Sequence, residues 1–461
     1  MKIPRLVIAG TASGVGKTTT FVALAAALRA RGLVVAAFKC GPDYLDPTYH
    51  ARATGAVSHN LDGWMMGRAA VTATFARATR GADIALIEGV MGLYDGASPD
   101  GEEGSAAEIA KWLAAPVVAV VDASGIARTL AAVGVGLRAF DPAVELAGLF
   151  ANRVGSRGHL DLLKRACLPH VPVVGGLPRD EPHAFAERHL GLYSADADLV
   201  PDALVHTWGA TFAEWNDVDA FLALARGAPP IELPEDAQSD AASAVPSPSP
   251  RCRIGLARDA AFHFYYDDNL ARLRALGAEL VPFSPVADAA LPDIDGVYLG
   301  GGYPEVHAAR LAANASMRAS LRSFAERGGP IYAECGGLMY LADAVRTLDG
   351  TTHAMVGLVP GVAIMHDKLQ ALGYVEVETQ RRTILGGAGL RMRGHQFRYS
   401  TLDGATADAY SVRKRRGGGT SLEGYGSGAV LGSYVHVHWA SNPLVAEGLV
   451  GACVRFREQR R

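Results

Sequence analysis

The chain has 461 residues, of which 49% are hydrophobic and 20% charged, which is enough for two or three globular domains. Lysine and arginine total 44 against 47 acidic residues, so the charge balance predicts neither a nucleic-acid partner nor a membrane-surface partner. No apolar run approaches the roughly 18 residues of a membrane span, and the five cysteines are scattered. We therefore expect a cytoplasmic protein in a reducing environment.

Short apolar runs alternate with helical patterns through the first half of the chain. The predicted strands are Leu6–Ala9, Val34–Phe38, Ile84–Ile87, Val117–Val121 and Leu146–Phe150. Thr20–Arg31 and Ile126–Phe140 are predicted helices. This alternation predicts an α/β domain with a parallel sheet that helices cover on both faces.

A glycine-rich loop follows the first predicted strand and opens the first helix. Its backbone N–H groups and the positive helix end form an anion site. Lys17 is expected to reach the β- and γ-phosphates of ATP, and Thr18 to ligate Mg²⁺. Thr11 stands where the first glycine of the strict motif is usual, so an accidental Lys-Thr after a glycine turn is the alternative. The predicted ATP-binding residues are Thr11, Ser13, Gly14, Val15, Gly16, Lys17, Thr18 and Thr19.

Acidic residues follow two further strands. Asp43 and Asp46 come after Val34–Phe38, and Glu88 comes directly after Ile84–Ile87. The carboxyl ends of parallel strands are where such sheets bind ligands. We predict that Asp43 and Glu88 join Thr18 around Mg²⁺, which offsets charge during phosphoryl transfer. Helix capping or solvation is the alternative role for each acid, including Asp95.

A proline- and serine-rich segment, 228–251, separates the halves and predicts an exposed linker between domains 1–227 and 252–461. A second strand–helix alternation follows it. Its predicted strands are Arg253–Leu256, Ala278–Phe283, Gly296–Leu299, Pro330–Ala333 and Val430–His438.

Cys335 lies between a short apolar strand and two glycines that open a helix. Such a strand-to-helix turn exposes a nucleophile, and we expect the helix N-terminus to lower the pKa of its thiol. The N–H groups of Gly336 and Gly301 are the predicted donors to an oxyanion. Cys167, Cys252 and Cys453 lack this context and are expected to be small buried residues.

Two histidines stand two residues apart near the C-terminal end. Residues two apart on a strand share one face, so His436 and His438 are expected to point at one cleft. His436 is predicted to stabilise the Cys335 thiolate and to protonate the leaving ammonia. In glutamine amidotransferases of the triad type a glutamate occupies the second position; His438 is left as an orienting group, a substrate contact or a structural residue.

Together these motifs resemble the cobyrinic acid a,c-diamide synthase family of corrinoid biosynthesis. The matching strings are Gly10–Thr20, Lys39–Pro47, Glu88–Gly96, Ala151–Ser156, Glu187–Leu192, Phe262–Asn269, Gly300–Glu305, Glu334–Leu338 and Gly432–Trp439. The resemblance implies a dethiobiotin-synthetase-like P-loop domain followed by a class I glutamine amidotransferase domain.

The resemblance also implies a function, a carbon–nitrogen ligase. Glutamine is hydrolysed through a thioester on Cys335, ATP phosphorylates the a- and c-acetate carboxylates of cobyrinic or hydrogenobyrinic acid, and ammonia displaces the phosphate. Carried over by position, Leu45, Asp46 and Asp95 fall in the acceptor site. A homodimer is one candidate assembly.

The string around Arg398 departs from the family pattern, in which we expect Glu at position 396 and His at 398. Gln396 loses a charge, and Arg398 adds a cation that could pair with a carboxylate of the ring. Nickel sirohydrochlorin is therefore an alternative macrocycle. Cobyric acid synthase is a second alternative, although its histidine is followed by Gly and here Glu334 directly precedes the cysteine.

Two alternative functions lie outside amide synthesis. A partitioning-type ATPase that switches on nucleotide binding would explain the first half but has no use for Cys335. A binding protein with an inactive glutaminase is the other, and an intact Cys335 and His436 argue against it.

Overall fold

The computed structural model describes residues 1–179, 200–232 and 249–460. The chain divides into two compact units, Met1–Ser239 and Asp240–Arg461. Most of the predicted linker and the motif Glu187–Leu192 lie outside the described residues, so the predicted domain limits stay predictions. Within the described ranges, every helix is too short or too polar to cross a membrane.

The first unit is built on a seven-stranded parallel sheet in the order β3-β2-β4-β1-β5-β6-β7. Its strands are β1 Arg5–Gly10, β2 Val35–Cys40, β3 Ser58–Leu61, β4 Ile84–Glu88, β5 Val117–Asp122, β6 Leu146–Val154 and β7 Val173–Pro178. The predicted parallel sheet is confirmed. The prediction missed β3, which is short and polar, and β7, which contains two glycines and a proline.

Eight helices cover this sheet among the described residues. They are α1 Lys17–Ala30, α2 Asp46–Thr54, α3 Gly63–Ala78, α4 Ala106–Trp112, α5 Thr129–Phe140, α6 Arg157–Cys167, α7 Asp202–Trp215 and α8 Val218–Arg226. Helix α1 is buried along nearly its whole length, from Thr20 to Leu28. Its alanines allow α7 to approach closely, since a Cβ on Gly209 would lie 2.9 Å from the carbonyl carbon of Ala26.

The order of the sheet brings three strand ends together. β1 lies beside β4, and β4 lies beside β2, so Gly10, Glu88 and Cys40 end neighbouring parallel strands. The loops that leave these ends meet at one edge. The fold therefore groups the phosphate loop with the predicted acidic residues.

The second unit contains a five-stranded parallel sheet in the order β20-β11-β10-β8-β9. Its strands are β8 Cys252–Ala257, β9 Ala278–Phe283, β10 Gly296–Leu299, β11 Ile331–Glu334 and β20 Val430–Ser433. Its helices are α9 Asp267–Ala275, α10 Ala308–Ala313, α11 Ala315–Glu326, α12 Gly336–Leu341 and α13 Leu444–Gln459. Strand β11 lies inside the sheet and ends directly before Cys335.

Two more sheets are formed by strands that follow α12, all of them before β20 except β21. The first, in the order β13-β12-β14-β17, contains β12 Ala342–Arg346, β13 Thr352–Ala354, β14 Val359–Met365 and β17 Ser400–Asp403. The second, in the order β19-β18-β15-β16-β21, contains β15 Ala371–Thr379, β16 Arg391–Arg398, β18 Tyr410–Lys414, β19 Thr420–Glu423 and β21 His436–Val437. Neither sheet was predicted, because the alternation of strands and helices in the sequence indicates only parallel sheets.

The prediction of one continuous strand over Val430–His438 is wrong. The segment is divided between two sheets, with Val430–Ser433 paired to β11 and His436–Val437 paired to β16. Glu423 fixes the crossing point, since it accepts hydrogen bonds from the Ser433 hydroxyl and the Tyr434 N–H, each over 2.6 Å. His438 lies beyond β21 and caps a 3₁₀ helix, Trp439–Ser441.

Arg5 provides a test of this fold. It is fully buried, and its guanidinium donates to the carbonyls of Ile3, Leu113, Ala114 and Pro229. We expect Arg5→Met to lower the free energy of unfolding of the first unit by about 2–5 kcal/mol, because buried carbonyls lose their donors. Urea unfolding followed by tryptophan fluorescence measures this change.

Arg31→Met is the matched control, since Arg31 forms one exposed ion pair with Asp219. It should change the free energy of unfolding by less than about 1 kcal/mol. Equal losses in the two variants would contradict the structural role of Arg5.

Candidate active site

The phosphate loop runs from the end of β1 to the start of α1. Gly16, which caps α1, has a φ of 96°, and the loop continues into Lys17 as the first helical residue. Lys17 is buried, and its ammonium donates to the carbonyl of Ala12 over 2.9 Å. The N–H of Thr11 donates to the carbonyl of Val120, so it extends the sheet contacts of β1 and is not directed into the loop.

Residues of the Ala151–Ser156 motif brace this loop. Asn152 donates to the carbonyl of Val15 over 2.9 Å, and Arg153 donates to the carbonyl of Gly14 over 3.0 Å. A Cβ on Gly16 would lie 2.0 Å from the Asn152 amide nitrogen, so only glycine fits there. The motif thus has a structural explanation in positioning the loop.

Glu88 is the centre of a buried polar cluster below the loop. Its Oε1 accepts from the Thr18 hydroxyl over 2.8 Å and from the Lys39 ammonium over 2.9 Å. Its Oε2 lies 2.5 Å from Nε2 of His50, whose ring stacks on Phe21. The structure therefore brings together two residues of the predicted site, Thr18 and Glu88. It also places Lys39 and His50 there, which were not predicted to belong to the site.

The charges in this cluster balance one another. Burial opposes ionisation of Glu88, but Lys39 and a hydrogen bond from His50 outweigh it and lower the pKa of Glu88 below its usual value. Burial also disfavours the Lys39 ammonium, yet Asp46 and Glu88 raise the pKa of Lys39 well above its usual value. Both groups are therefore ionised at neutral pH.

The remaining acids predicted for this region have defined local partners. Asp43 accepts from the N–H groups of Leu45 and Asp46 and so caps the start of α2. Asp46 is buried and forms an ion pair with Lys39 over 2.7 Å. Asp95 is exposed and accepts from the N–H of Gly92 over 2.8 Å. Their roles in metal or acceptor binding, with that of Leu45, stay predictions.

Cys335 occupies a strained turn at the end of β11. Its backbone has φ 48° and ψ −103°, and it caps the N-terminus of α12. A non-glycine residue holds such a conformation only where its surroundings enforce it, and such residues concentrate at active sites. The enforcing contact is the hydrogen bond from the Cys335 N–H to the Ser433 carbonyl over 2.7 Å.

The expectation of a lowered thiol pKa is wrong. Burial and the carboxylate of Glu305 raise the pKa of Cys335 to about 12, although the Gly336 N–H and Arg398 act in the opposite direction. The thiol is only 9% exposed, and helix α12 has six residues, so desolvation outweighs the helix end. Burial therefore favours the neutral thiol of Cys335.

The loop 300–305 borders both Cys335 and His436. A Cβ on Gly336 would lie 3.1 Å from the nitrogen of Gly302, and one on Gly301 would lie 2.5 Å from Cε1 of His436. The Gly301 N–H, however, donates to the Phe264 carbonyl over 3.3 Å. Gly301 thus leaves room for the close approach of His436, and the oxyanion roles predicted for Gly301 and Gly336 stay predictions.

His436 and His438 have different surroundings. His436 is 2% exposed, its ring stacks on that of His395 with centroids 5.0 Å apart, and burial lowers its pKa to about 3. Nδ1 of His438 accepts from the N–H of Ala440 over 3.3 Å, and its ring lies 4.6 Å from that of Tyr266. These contacts favour the structural role among the three left open for His438, and its role stays a prediction.

Arg398 and Gln396 lie on β16 in the second unit. The guanidinium of Arg398 lies 4.4 Å above the ring of Tyr434, and its charge acts on the Cys335 thiol. Gln396 is buried and pairs across the sheet with Gly373. The assignment of Arg398 to a ring carboxylate stays a prediction.

Sequence reasoning assigned no role to four residues that shape the two sites. Lys39 and His50 hold Glu88, Tyr265 accepts from the Gly300 N–H, and Asn269 bonds to both Val437 and Trp439. Two features of the sequence could have indicated such roles. Lys39 is a charged residue inside the apolar strand β2, and Asn269 is at the polar end of the Phe262–Asn269 motif. His50 had no local signal.

Two family models match the chain. Residues 6–190 match the model described as a CobQ/CobB/MinD/ParA nucleotide binding domain. Residues 253–444 match the model described as a CobB/CobQ-like glutamine amidotransferase domain. Each match contains one of the two sites described above.

Curated proteins match over nearly the whole length. A protein from Leptospira interrogans named cobyrinate a,c-diamide synthase is 52% identical over 459 residues, which cover 99% of each chain. A protein of the same name from Syntrophotalea carbinolica is 46% identical, and the match covers 98% of this chain and 99% of that protein. Another from Salmonella typhimurium is 41% identical, and the match covers 97% of this chain and 98% of that protein.

The state of the Cys335 thiol can be tested by alkylation. We expect its reaction with iodoacetamide, followed by peptide mass spectrometry, to accelerate about tenfold per pH unit from pH 7 to 9, because the thiolate fraction rises in that proportion below the pKa. The same cysteine in the urea-unfolded chain is the control, and its rate should level off above about pH 9. A native rate that is already constant below pH 8 would show a stable thiolate instead.

Proposed function

The chain belongs to the cobyrinate a,c-diamide synthase family, and on that basis we propose that it amidates the a- and c-acetate carboxylates of cobyrinic or hydrogenobyrinic acid through acyl phosphates. It is a glutamine-dependent ligase of cobalamin synthesis that uses ATP, glutamine and a tetrapyrrole. The observation that supports the proposal most is the presence, in one chain, of a phosphate loop beside buried Glu88 and a cysteine in a strained turn.

In the first unit, a carboxylate oxygen of the acceptor attacks the γ-phosphorus of ATP, and ADP leaves. A free carboxylate is a poor acyl donor, whereas the mixed anhydride is a good one. The loop N–H groups and Lys17 hold the phosphates and offset the charge that develops between them. Ammonia then attacks the acyl carbon, inorganic phosphate departs with the electron pair of the broken C–O bond, and the nitrogen loses one proton to give the amide.

The oxygen atoms of Thr18 and Glu88 fit a magnesium ion. They lie 2.8 Å apart beside the phosphate loop, and oxygen is the ligand type that Mg²⁺ prefers. When bound, Mg²⁺ would neutralise phosphate charge. Lys39 and His50 keep Glu88 ionised and oriented for this purpose, which explains why a carboxylate is buried here.

In the second unit, Cys335 and His436 hydrolyse glutamine. Because the free thiol is neutral, His436 takes its proton as sulfur attacks the carboxamide carbon, and then gives that proton to the departing ammonia. The N–H groups of Gly336 and Gly302 face the developing oxyanion. Water then hydrolyses the thioester to glutamate and restores the thiol.

The overall proposal is tested by supplying ATP, Mg²⁺ and glutamine with cobyrinic acid, hydrogenobyrinic acid or nickel sirohydrochlorin. Each amidation replaces OH by NH₂, so the mass of the product shows how many amides have formed. Two amides on either corrin acid would support the proposal. Exclusive turnover of nickel sirohydrochlorin, or amides at four other side chains, would identify the alternative substrates.

Substitution of the nucleophile separates the two half-reactions. We expect Cys335→Ala to reduce glutamine-dependent amidation by at least about 10³-fold, because no thioester can form. Activity with high free ammonia should stay within about threefold of wild type, since the first unit is untouched. Cys167→Ala, which removes a buried cysteine of the first unit, is the control and should affect neither assay. Loss of both activities in Cys335→Ala would mean that Cys335 is structural.

The phosphate loop gives the complementary test. Lys17→Ala should reduce amidation by about 10²–10³-fold with either nitrogen source, because the developing phosphate charge loses its cation. Glutamine hydrolysis should survive, as its residues lie in the second unit. Lys111→Ala, whose lysine pairs with Glu102 and Asp141, is the control and should retain amidation. A full amide yield from Lys17→Ala would refute the role of Lys17.

A further inference from the structure

Glu334 is a carboxylate enclosed beside the glutaminase nucleophile. It is the last residue of β11, directly before Cys335, and it has no solvent exposure. Its Oε1 accepts from the Tyr332 hydroxyl over 2.8 Å and from the Val437 N–H over 3.1 Å. Its Oε2 accepts from the Tyr298 hydroxyl over 3.0 Å. A carboxylate buried this deeply is costly unless its partners and its role compensate.

The imidazole of His436 lies between Glu334 and the glycine loop. Its Nδ1 is 4.0 Å from Oε2 of Glu334. The Cε1–Nε2 edge of the ring faces Gly301, where a Cβ would lie 2.5 Å from Cε1 and 3.4 Å from Nε2. One ring nitrogen thus faces an acid, and the other faces the loop that borders Cys335. An acid on Nδ1 would select the tautomer of such a base, and this role requires the 4.0 Å gap to close to hydrogen-bond distance.

His438 does not fill the corresponding position. It stands two residues after the base, where triad enzymes carry their acid, but its Nδ1 accepts the N–H of Ala440 and its ring packs beside Tyr266. Asn269 holds the same segment through the Val437 carbonyl and the Trp439 N–H. Among the described residues around His436, the carboxylate that faces Nδ1 comes from the strand of the nucleophile.

We propose that Glu334 is the positioning residue of the glutaminase, holding the proton of His436 on Nδ1 and offsetting the charge of the imidazolium when Nε2 takes the proton of Cys335. This inference rests on the proposed glutaminase reaction. The proton moves from Sγ to Nε2 and then to the leaving ammonia, and Glu334 acts in its ionised form. Burial raises the pKa of Glu334 to about 7, although hydrogen bonds from Tyr332, the Val437 N–H and Tyr298 oppose this shift, so the ionised form predominates above about pH 7. A purely structural role, in which Glu334 only ties Tyr298, Tyr332 and Val437 together, is the competing account.

Glu334→Gln in the full chain distinguishes the two, because it keeps the size of the side chain and removes its charge. We expect kcat for glutamate release from glutamine to fall about 10²–10⁴-fold, the range for neutralising a triad acid, while KM stays within about threefold. Ammonia-dependent amidation should be retained. An unchanged kcat with a lowered melting temperature would overturn the proposal, as would an effect confined to KM.

Glu423→Gln is the matched control. Glu423 is also a buried glutamate of the second unit, and its carboxylate accepts from the Ser433 hydroxyl and the Tyr434 N–H. Its kcat should stay within about tenfold of wild type, although its melting temperature falls. Equal losses of kcat in Glu423→Gln and Glu334→Gln would also overturn the proposal.

Glu334→Asp keeps the charge and provides a second test if the Glu334→Gln variant does not fold. The shorter side chain should lower kcat by about tenfold without changing KM, because the carboxylate is retained at a greater distance from Nδ1. A wild-type kcat in this variant would contradict the assignment.

The wild-type chain distinguishes failure of this inference from failure of the proposed function. If the wild-type chain releases no glutamate from glutamine, the proposed function itself fails. If the wild-type chain turns over normally and the Glu334 variants do so too, only this inference is removed.

Discussion

Each unit is organised around a carboxylate buried at the end of a parallel strand. Glu88 ends β4 and Glu334 ends β11, and neither has solvent exposure. Such burial costs several kcal/mol unless donors or cations compensate. In the first unit the compensation comes from Lys39, His50 and Thr18, and in the second from two tyrosine hydroxyls and a backbone N–H. The residues for which we propose chemical roles are the neighbours of these two carboxylates.

The parallel sheets explain why the reactive groups stand where they do. Loops at the carboxyl ends of adjacent strands converge, so the phosphate loop meets Glu88 and the glycine loop after β10 meets Cys335. The two sites differ in their electrostatics. The first holds ionised groups in balance, whereas burial in the second favours a neutral Cys335 thiol and a neutral His436 imidazole.

The sequence was informative where chemistry resides in contiguous residues. The phosphate loop and the turn at Cys335 were predictable because their spacing fixes a local backbone conformation. Lys39, His50 and Asn269 contact partners that lie 49, 38 and 170 residues away along the chain, so no local pattern assigned them a role. The thiol pKa was wrongly predicted because it depends on burial, and the Val430–His438 strand because Glu423 draws the chain into another sheet.

The central claim is that a carboxylate activated by ATP in the first unit receives the nitrogen released in the second. Oxygen-18 in the carboxylates of the tetrapyrrole tests it most directly. The account predicts that inorganic phosphate gains one labelled oxygen for each amide formed, because the bond from carboxyl carbon to oxygen breaks on the acyl side of the anhydride. Amide formation with the label absent from phosphate would contradict it.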